Sequence, residues 1–368
     1  MSASTSASTS ANNYTSANNL SDRAILLSTG IKNVVPIGTF TGYTPGSRAN
    51  IKVRNVGVTT GFFVRVTASI TIATAAATAS PFAPYTTLSK IEFSDYNTTL
   101  RQSSSGILNY FMNSIRYGRP FLPTGQGNVD TQQTVTPTAV GADQLLQYSF
   151  YVPLARDPNR DLTGAVLSQT VVGEQYLNLT VNPTVVGDVT SPYTATTGDV
   201  TINSVSFQVW QEYILPQTPN LPLMDLNTVY EFNGLFTSTN NVSTNGQAFI
   251  DYPNVRNVLG MYYGLVNNGG VTVNGGDITN ISLIANGNTN IRDRDPLSVR
   301  ATMRHIMGGD LPAGLYYDGH RNNPVSTFIY SQFQMRLTFG TLAGNSYLFY
   351  GFESIYPNNT PLPGVGLA

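Results

Sequence analysis

Two short runs hold the densest clusters of charged side chains: ARDPNRD, with Arg156, Arg160 and Asp161, and NIRDRDP, with Arg292, Asp293, Arg294 and Asp295. Asp293 and Asp295 stand at a spacing used in divalent-ion loops. The interleaved Arg292 and Arg294 repel a cation, however, and pair more simply with the carboxylates. Ion pairs within or between chains are therefore expected, and on a surface otherwise nearly free of charge such clusters can fix the register between neighbours. The two histidines, His305 on an expected helix and His320 in a turn, lack the His-Glu spacing of a zinc hydrolase and read as structural. There are no cysteines, which excludes disulfides and thiolate-bound metals. Nucleophilic catalysis would then fall to serine with lysine or to a carboxylate dyad, and neither occurs in a recognisable motif. The glycine-rich pieces GQGN, NNGG and NGG do not open a helix after a strand, so they read as turns and not as phosphate cradles. No catalytic residue, metal or cofactor is expected.

The elements that must position these residues follow from composition and period. A length of 368 residues fits about two domains at roughly 100 to 200 residues each. Only 11% of residues are charged while 41% are hydrophobic, so Ser, Thr, Asn and Gln must dress the surface. Nineteen basic against 20 acidic residues leave almost no net charge, which removes the long-range attraction a nucleic-acid binder needs. No basic start with an apolar stretch and no continuous span of about 18 apolar residues is present, so neither export nor membrane crossing is expected.

Residues 1–21 carry no charge and almost no large apolar side chain. They read as an arm, flexible when isolated, ending in a short helix capped by Ser21 or Asp22, running through Arg23, Ile25, Leu26 and Leu27, and stopped by Gly30. From Ile51 onward the dominant period is two. Phe62, Val64, Val66, Ala68, Ile70 and Ile72 share one face of a strand, and the same alternation recurs at Tyr148 to Val152, Leu177 to Val181, Val205 to Val209 and Met335 to Phe339. Many such strands imply sandwiches. Thr124 to Gln144 and Asn182 to Asp199 are too polar for a core and read as surface excursions. Helices are expected over Ile107 to Tyr117 and after Asp295 as N-cap, with Val299, Met303, Ile306 and Met307 on one face. Trp210, Tyr262 and Tyr263 are either interface anchors or core.

Each helix sits in the middle of its half, between early strands and a closing aromatic strand. The expectation is an all-β chain of two tandem eight-stranded jelly rolls with short helices and an N-terminal arm. Its parts are an arm over 1–37, a first roll over 38–215 and a second roll with a C-terminal tail over 216–368, the proline-rich LPQTPNLPL marking the boundary.

Five segments, GFFVRVTASIT, FYVPLA, DLTGAVL, LPLMDLNTVY and DLPAGLYYD, occur in that order across both halves. With them the chain resembles the tectivirus major capsid proteins. The resemblance implies a homotrimeric, pseudo-hexagonal capsomer tiling an icosahedral shell around an internal membrane that encloses double-stranded DNA. It also implies penton and minor capsid proteins as partners, a virion location and assembly in the host cytoplasm. By position the family's arm, lying beneath the trimer near the membrane, maps onto residues 1–30. Asp22, Arg23, Ile25, Leu26 and Leu27, together with Arg156, Arg160, Asp161, Arg292, Asp293, Arg294 and Asp295, are the expected inter-subunit or membrane-side contacts. The arm's Ser/Ala/Thr/Asn repeat departs from the family, and its lack of charge argues against direct contact with nucleic acid. A tandem β-sandwich adhesive or carbohydrate-binding surface protein is the alternative that composition alone permits.

Overall fold

The computed structural model describes residues 23–357 except 81, 97, 118–136, 170–172, 195–199, 218–227, 238, 268–276, 288, 308–313, 321–323 and 343–344. Asp22 and the arm before it therefore lie outside the described residues, as does the segment 124–136.

The alternating segments fold as their period dictates. In β3 (Val58–Ile72) the six residues from Phe62 to Ile72 on one face are all buried, while the opposite face is half-exposed. This strand lies inside an outer sheet ordered β1 (Ile31–Tyr43), β9 (Val200–Leu215), β3, β6 (Gly141–Pro153). Facing it are β2 (Arg48–Lys52), β8 (Tyr176–Val181), β4 (Leu88–Ser94) and β5 (Leu100–Ser104), in that order. A two-residue strand, β7 (Val166–Leu167), extends β3 on its edge side.

The second half repeats the arrangement. One sheet runs β10 (Thr228–Leu235), β19 (Ser346–Pro357), β13 (Asn257–Asn267), β16 (Leu315–Gly319); the other runs β12 (Gln247–Asp251), β18 (Phe333–Phe339), β14 (Ile278–Ala285), β15 (Thr289–Arg294). The short strands β11 (Asn241–Val242) and β17 (Val325–Ser326) pair with β19 and β13. Counting main strands along the chain, each half has the order 1-8-3-6 in one sheet and 2-7-4-5 in the other. In both halves the longest helix falls between strands five and six: α3 (Gly106–Tyr117) in the first and α4 (Pro296–Met307) in the second, α2 being the single turn Ala83–Thr86 and α1 the helix at 23–29. This is the jelly-roll plan, written twice.

The two rolls are fused through one sheet. Strand five of the first, β5, pairs in parallel with strand one of the second, β10, at Phe232–Gln102 and Asn233–Ser103, joining both inner layers into a ten-stranded sheet. Strand two reverses strand one through the short turn at 44–47, and strand five is antiparallel to strand four, so strands one and five of a roll run the same way. A parallel pairing between rolls therefore sets both the same way up. Helix α3 stitches the seam. Its apolar face, Ile107, Leu108, Phe111, Met112 and Ile115, is buried against residues of the second roll such as Phe232, Tyr262 and Phe349. Gly234 and Gly351 face each other across β10 and β19, and a side chain at Gly234 would strike Leu108, so the pair leaves the slot that α3 fills.

Two expectations need correction. Gly141 to Gln144 begin β6 and are not excursion. The described part of Asn182 to Asp199 is tucked in: Tyr193 and Val189 are buried, and Asn182 Nδ2 donates to the carbonyls of Thr86 and Thr190 at 2.9 Å. Side-chain hydrogen bonds of this kind satisfy backbone groups and let a polar segment be buried.

Candidate assembly site

Of the three clusters singled out in the sequence, two meet. Helix α1 lies against the loop that follows β6. Leu26 is buried among Val58, Ala155, Leu162, Ala165 and Ile214, with Leu27 half-buried beside it. Arg23 Nη1 donates to Thr163 Oγ1 at 3.0 Å, and the Gly30 amide closes the helix on the Leu26 carbonyl at 2.9 Å. Thr163 belongs to the ARDPNRD turn, where the Asp161 carboxylate accepts from the Thr163 amide at 2.9 Å and hydroxyl at 2.6 Å and pairs with Arg156 at 3.3 Å. Leu26 is thus spent inside the chain and is not available as a contact, because the apolar nest between β9 and the 155–165 loop takes it. Ile25 and Arg160 remain exposed.

The third cluster lies apart, on β15 and the start of α4. The expected pairing of its arginines with its own aspartates does not occur. Arg294 instead pairs with Asp318, whose side chain is 1% exposed, linking the edge strand β15 of one sheet to the edge strand β16 of the other. Adjacent residues along a strand point to opposite faces, so Arg294 cannot turn to Asp293 or Asp295 while it reaches across this edge. Asp293 is held below the usual carboxylate range by hydrogen bonds from Ser282 and Asn290. Asp295 caps α4, its carboxylate accepting from the Leu297 amide at 3.3 Å and its carbonyl from Ser298 Oγ at 2.7 Å. Arg292 makes no ion pair among the described residues.

Two buried ion pairs were not foreseen, one within the first roll and one that joins the rolls. Arg101 donates through Nε to Asp95 at 2.7 Å and through Nη1 to the Gly164 carbonyl at 3.1 Å, both side chains being almost wholly buried. Arg116 of α3 lies 3.7 Å from Glu353 of β19 and 4.7 Å from the Tyr230 ring, while Tyr262 Oη donates to Glu353 at 2.8 Å. The available signal was a charge inside an apolar pattern: Glu353 stands in the aromatic run SYLFYGFESIY, and Arg116 follows the apolar face of α3. Buried ions require partners. Tyr262 and Tyr263 are core, which closes the anchor reading for them; Trp210 is half-buried. His305 is exposed, and burial lowers the pKa of His320, whose Nε2 lies 3.8 Å from Asp318.

Among the described residues no three His, Cys, Asp or Glu gather as metal ligands, and no helix is long and apolar enough to cross a membrane. The fold presents two rolls, the same way up, on a shared sheet. This is the build of the double jelly-roll major capsid proteins of viruses. The structure is similar to that of Sulfolobus Turreted Icosahedral Virus at a TM-score of 0.64 and 15% identity, covering 91% of this chain and 92% of that one. It is also similar to the major capsid protein P2 from bacteriophage PM2 at a TM-score of 0.52 and 7% identity, covering 90% and 100%.

Residues 10–214 match the family described as P3 major capsid protein N-terminal, and residues 227–360 match P3 major capsid protein C-terminal. The chain belongs to the P3 major capsid protein family. It is 29% identical to major capsid protein P3 of Enterobacteria phage PRD1 over 96% of this chain and 95% of that protein. It is a structural component of a virion and not an enzyme.

Proposed function

We propose that three copies of this chain form a pseudo-hexagonal capsomer, and that these capsomers tile an icosahedral shell around an internal membrane enclosing double-stranded DNA. The observation that carries the reading is the repeated strand order on a shared sheet. One chain supplies two like barrels in one orientation, so a closed ring of three chains presents six. The expected arm over 1–37 shortens to 1–30, because β1 pairs with β9 from Ile31 onward; the first roll then runs to 215 and the second roll over 216–368. Penton and minor capsid proteins would occupy positions a six-sided block cannot fill, and assembly would take place in the host cytoplasm.

The uncharged residues 1–21 fit an arm that meets lipid and not genome, since neutralising phosphates requires Lys or Arg. Arm helix α1 and the turn with Arg156, Arg160 and Asp161 share one end of the first roll, which we assign as the membrane-side base. Arg160 is the exposed charge there and the better choice for a contact between chains. Arg294 is occupied by Asp318, so its replacement would unsettle the second roll before any interface.

Native mass measurement of the purified protein tests the reading, with three copies as the expected result. Monomers that bind glycans would contradict it and favour an adhesive β-sandwich instead.

A further inference from the structure

A groove of about 280 Å³ opens on the first roll where α3, β6, β3, β9 and the 158–159 turn meet. It is just smaller than the roughly 300 Å³ at which pockets for drug-sized ligands begin, and so is scaled to a side chain. Phe63, Tyr110, Phe150 and Tyr151 wall it, the Phe63 and Tyr151 rings lying 4.8 Å apart. Gly61 keeps the Tyr151 ring in place, because a Cβ there would come within 2.2 Å of its hydroxyl.

Two acceptors in the groove have capacity left, beside the Ser114, Ser149 and Asn159 side chains that also line it. Glu212 Oε2 already accepts from Tyr151 Oη and, at 2.8 Å, from Thr60 Oγ1; no hydrogen bond reaches Oε1 from the described residues. Asn113 donates its amide to the Tyr151 carbonyl at 2.7 Å and to Asn109, while its Oδ1 is buried without a partner, the residue being 6% exposed. Among the lining residues Glu212 is the single charge. A carboxylate, an unpaired amide oxygen and aromatic faces together suit a flat cation with several N–H groups.

We propose that this groove receives the guanidinium of an arginine from a second copy of the chain, Glu212 and Asn113 Oδ1 accepting its N–H groups between the aromatic walls. The proposal rests on the reading of the chain as a self-assembling shell subunit. Charge complementarity supplies the occupant: Arg54 and Arg160 are exposed, and their side chains make no ion pair or hydrogen bond with the described residues. Lys32 of the same chain is engaged at the rim, where its Nζ donates to Asn159 Oδ1 at 3.0 Å, and a neighbouring copy can present such an arginine to Glu212.

The direct test is a map of the assembled particle at side-chain resolution, by electron cryomicroscopy, with wild-type protein. An arginine of an adjacent copy within hydrogen-bonding distance of Glu212 is expected. An empty groove, or one filled by an apolar side chain, a lysine or a non-protein molecule, overturns the assignment while leaving the shell reading intact. Wild-type protein that remains monomeric under all assembly conditions overturns both. As a second readout, Glu212→Gln keeps the shape and removes the charge. With an unchanged melting temperature, it should raise the protein concentration needed for half-assembly by about tenfold or more; assembly equal to wild type would refute the role.

Discussion

The interiors of the two rolls obey one strand order but are filled differently. The first is largely aliphatic, with Val64, Val66, Ile70, Ile91, Leu177, Leu179, Val205 and Val209 alternating inward from both sheets. The second is built from tyrosines and phenylalanines, including Tyr252, Tyr262, Tyr263, Tyr316 and Tyr317, and encloses Asp318, His320 and Glu353. Its strand β13 has sheet β12-β18-β14-β15 on one face and α3 on the other, so every residue from Val258 to Val266 is buried. Between its sheets the first roll is packed mainly by aliphatic side chains, and its buried ion pair, Arg101 with Asp95, lies at the β4–β5 end. The second encloses ionisable groups among its aromatic side chains and holds both histidines of the chain, so it should respond to mildly acid pH where the first has no group of that kind.

The contrast breaks most sharply at Glu353. Replacing it with Ala removes the carboxylate that faces the Arg116 guanidinium at 3.7 Å and accepts from the Tyr262 hydroxyl, and removal of one member of a buried pair costs about 3–5 kcal/mol. Denaturant unfolding should show that loss; a change under about 1 kcal/mol would mean the pair does not hold the rolls together.

A smaller effect is expected from acid. Burial, the largest cause, holds the His320 pKa below its ordinary value of 6.5, with Arg294 acting in the same direction and Asp318 opposing both. As pH falls the unfolded chain takes up that proton first, so stability is complete above pH 6.5 and declines as pH falls through 6.5 toward the folded value. The slope is at most about 1.4 kcal/mol per pH unit for one such group. His320→Gln should flatten the pH dependence of the melting temperature in this window, and an unaltered slope would remove His320 as the cause. The smallest effect belongs to the first roll. Ile70→Val should cost about 0.5–1.5 kcal/mol with no pH dependence between 5 and 7, a result that sharpens the contrast if the two variants are titrated side by side.

The same difference governs what could be read from the sequence. Strand β3, with one face buried and one half-exposed, announces its period, and Asp295 with Pro296 marks the start of α4 to the residue. Strand β13 does not alternate, because both its faces are covered. Strand β5, LRQSS, buries Arg101 and Gln102 and so hides its place at the seam. The duplication was visible because helices at matching positions need only local signals, whereas the fusion of the rolls into one sheet rests on a parallel pairing between residues some 130 apart in sequence, roughly the separation of Gln102 and Phe232. For the candidate contacts the residue types were informative and the partners were not. Nothing near ARDPNRD indicates that Arg23 would reach Thr163, and Arg294 finds Asp318 only because two sheet edges close on each other.

Hydrogen exchange across the seam tests most directly whether the two rolls form one rigid block. Peptides covering β5 (Leu100–Ser104) and β10 (Thr228–Leu235) in the native assembly should be protected as strongly as the core strand β3. Fast exchange in both, with β3 still protected, would show that the rolls are separate bodies and that the shared sheet does not exist in solution.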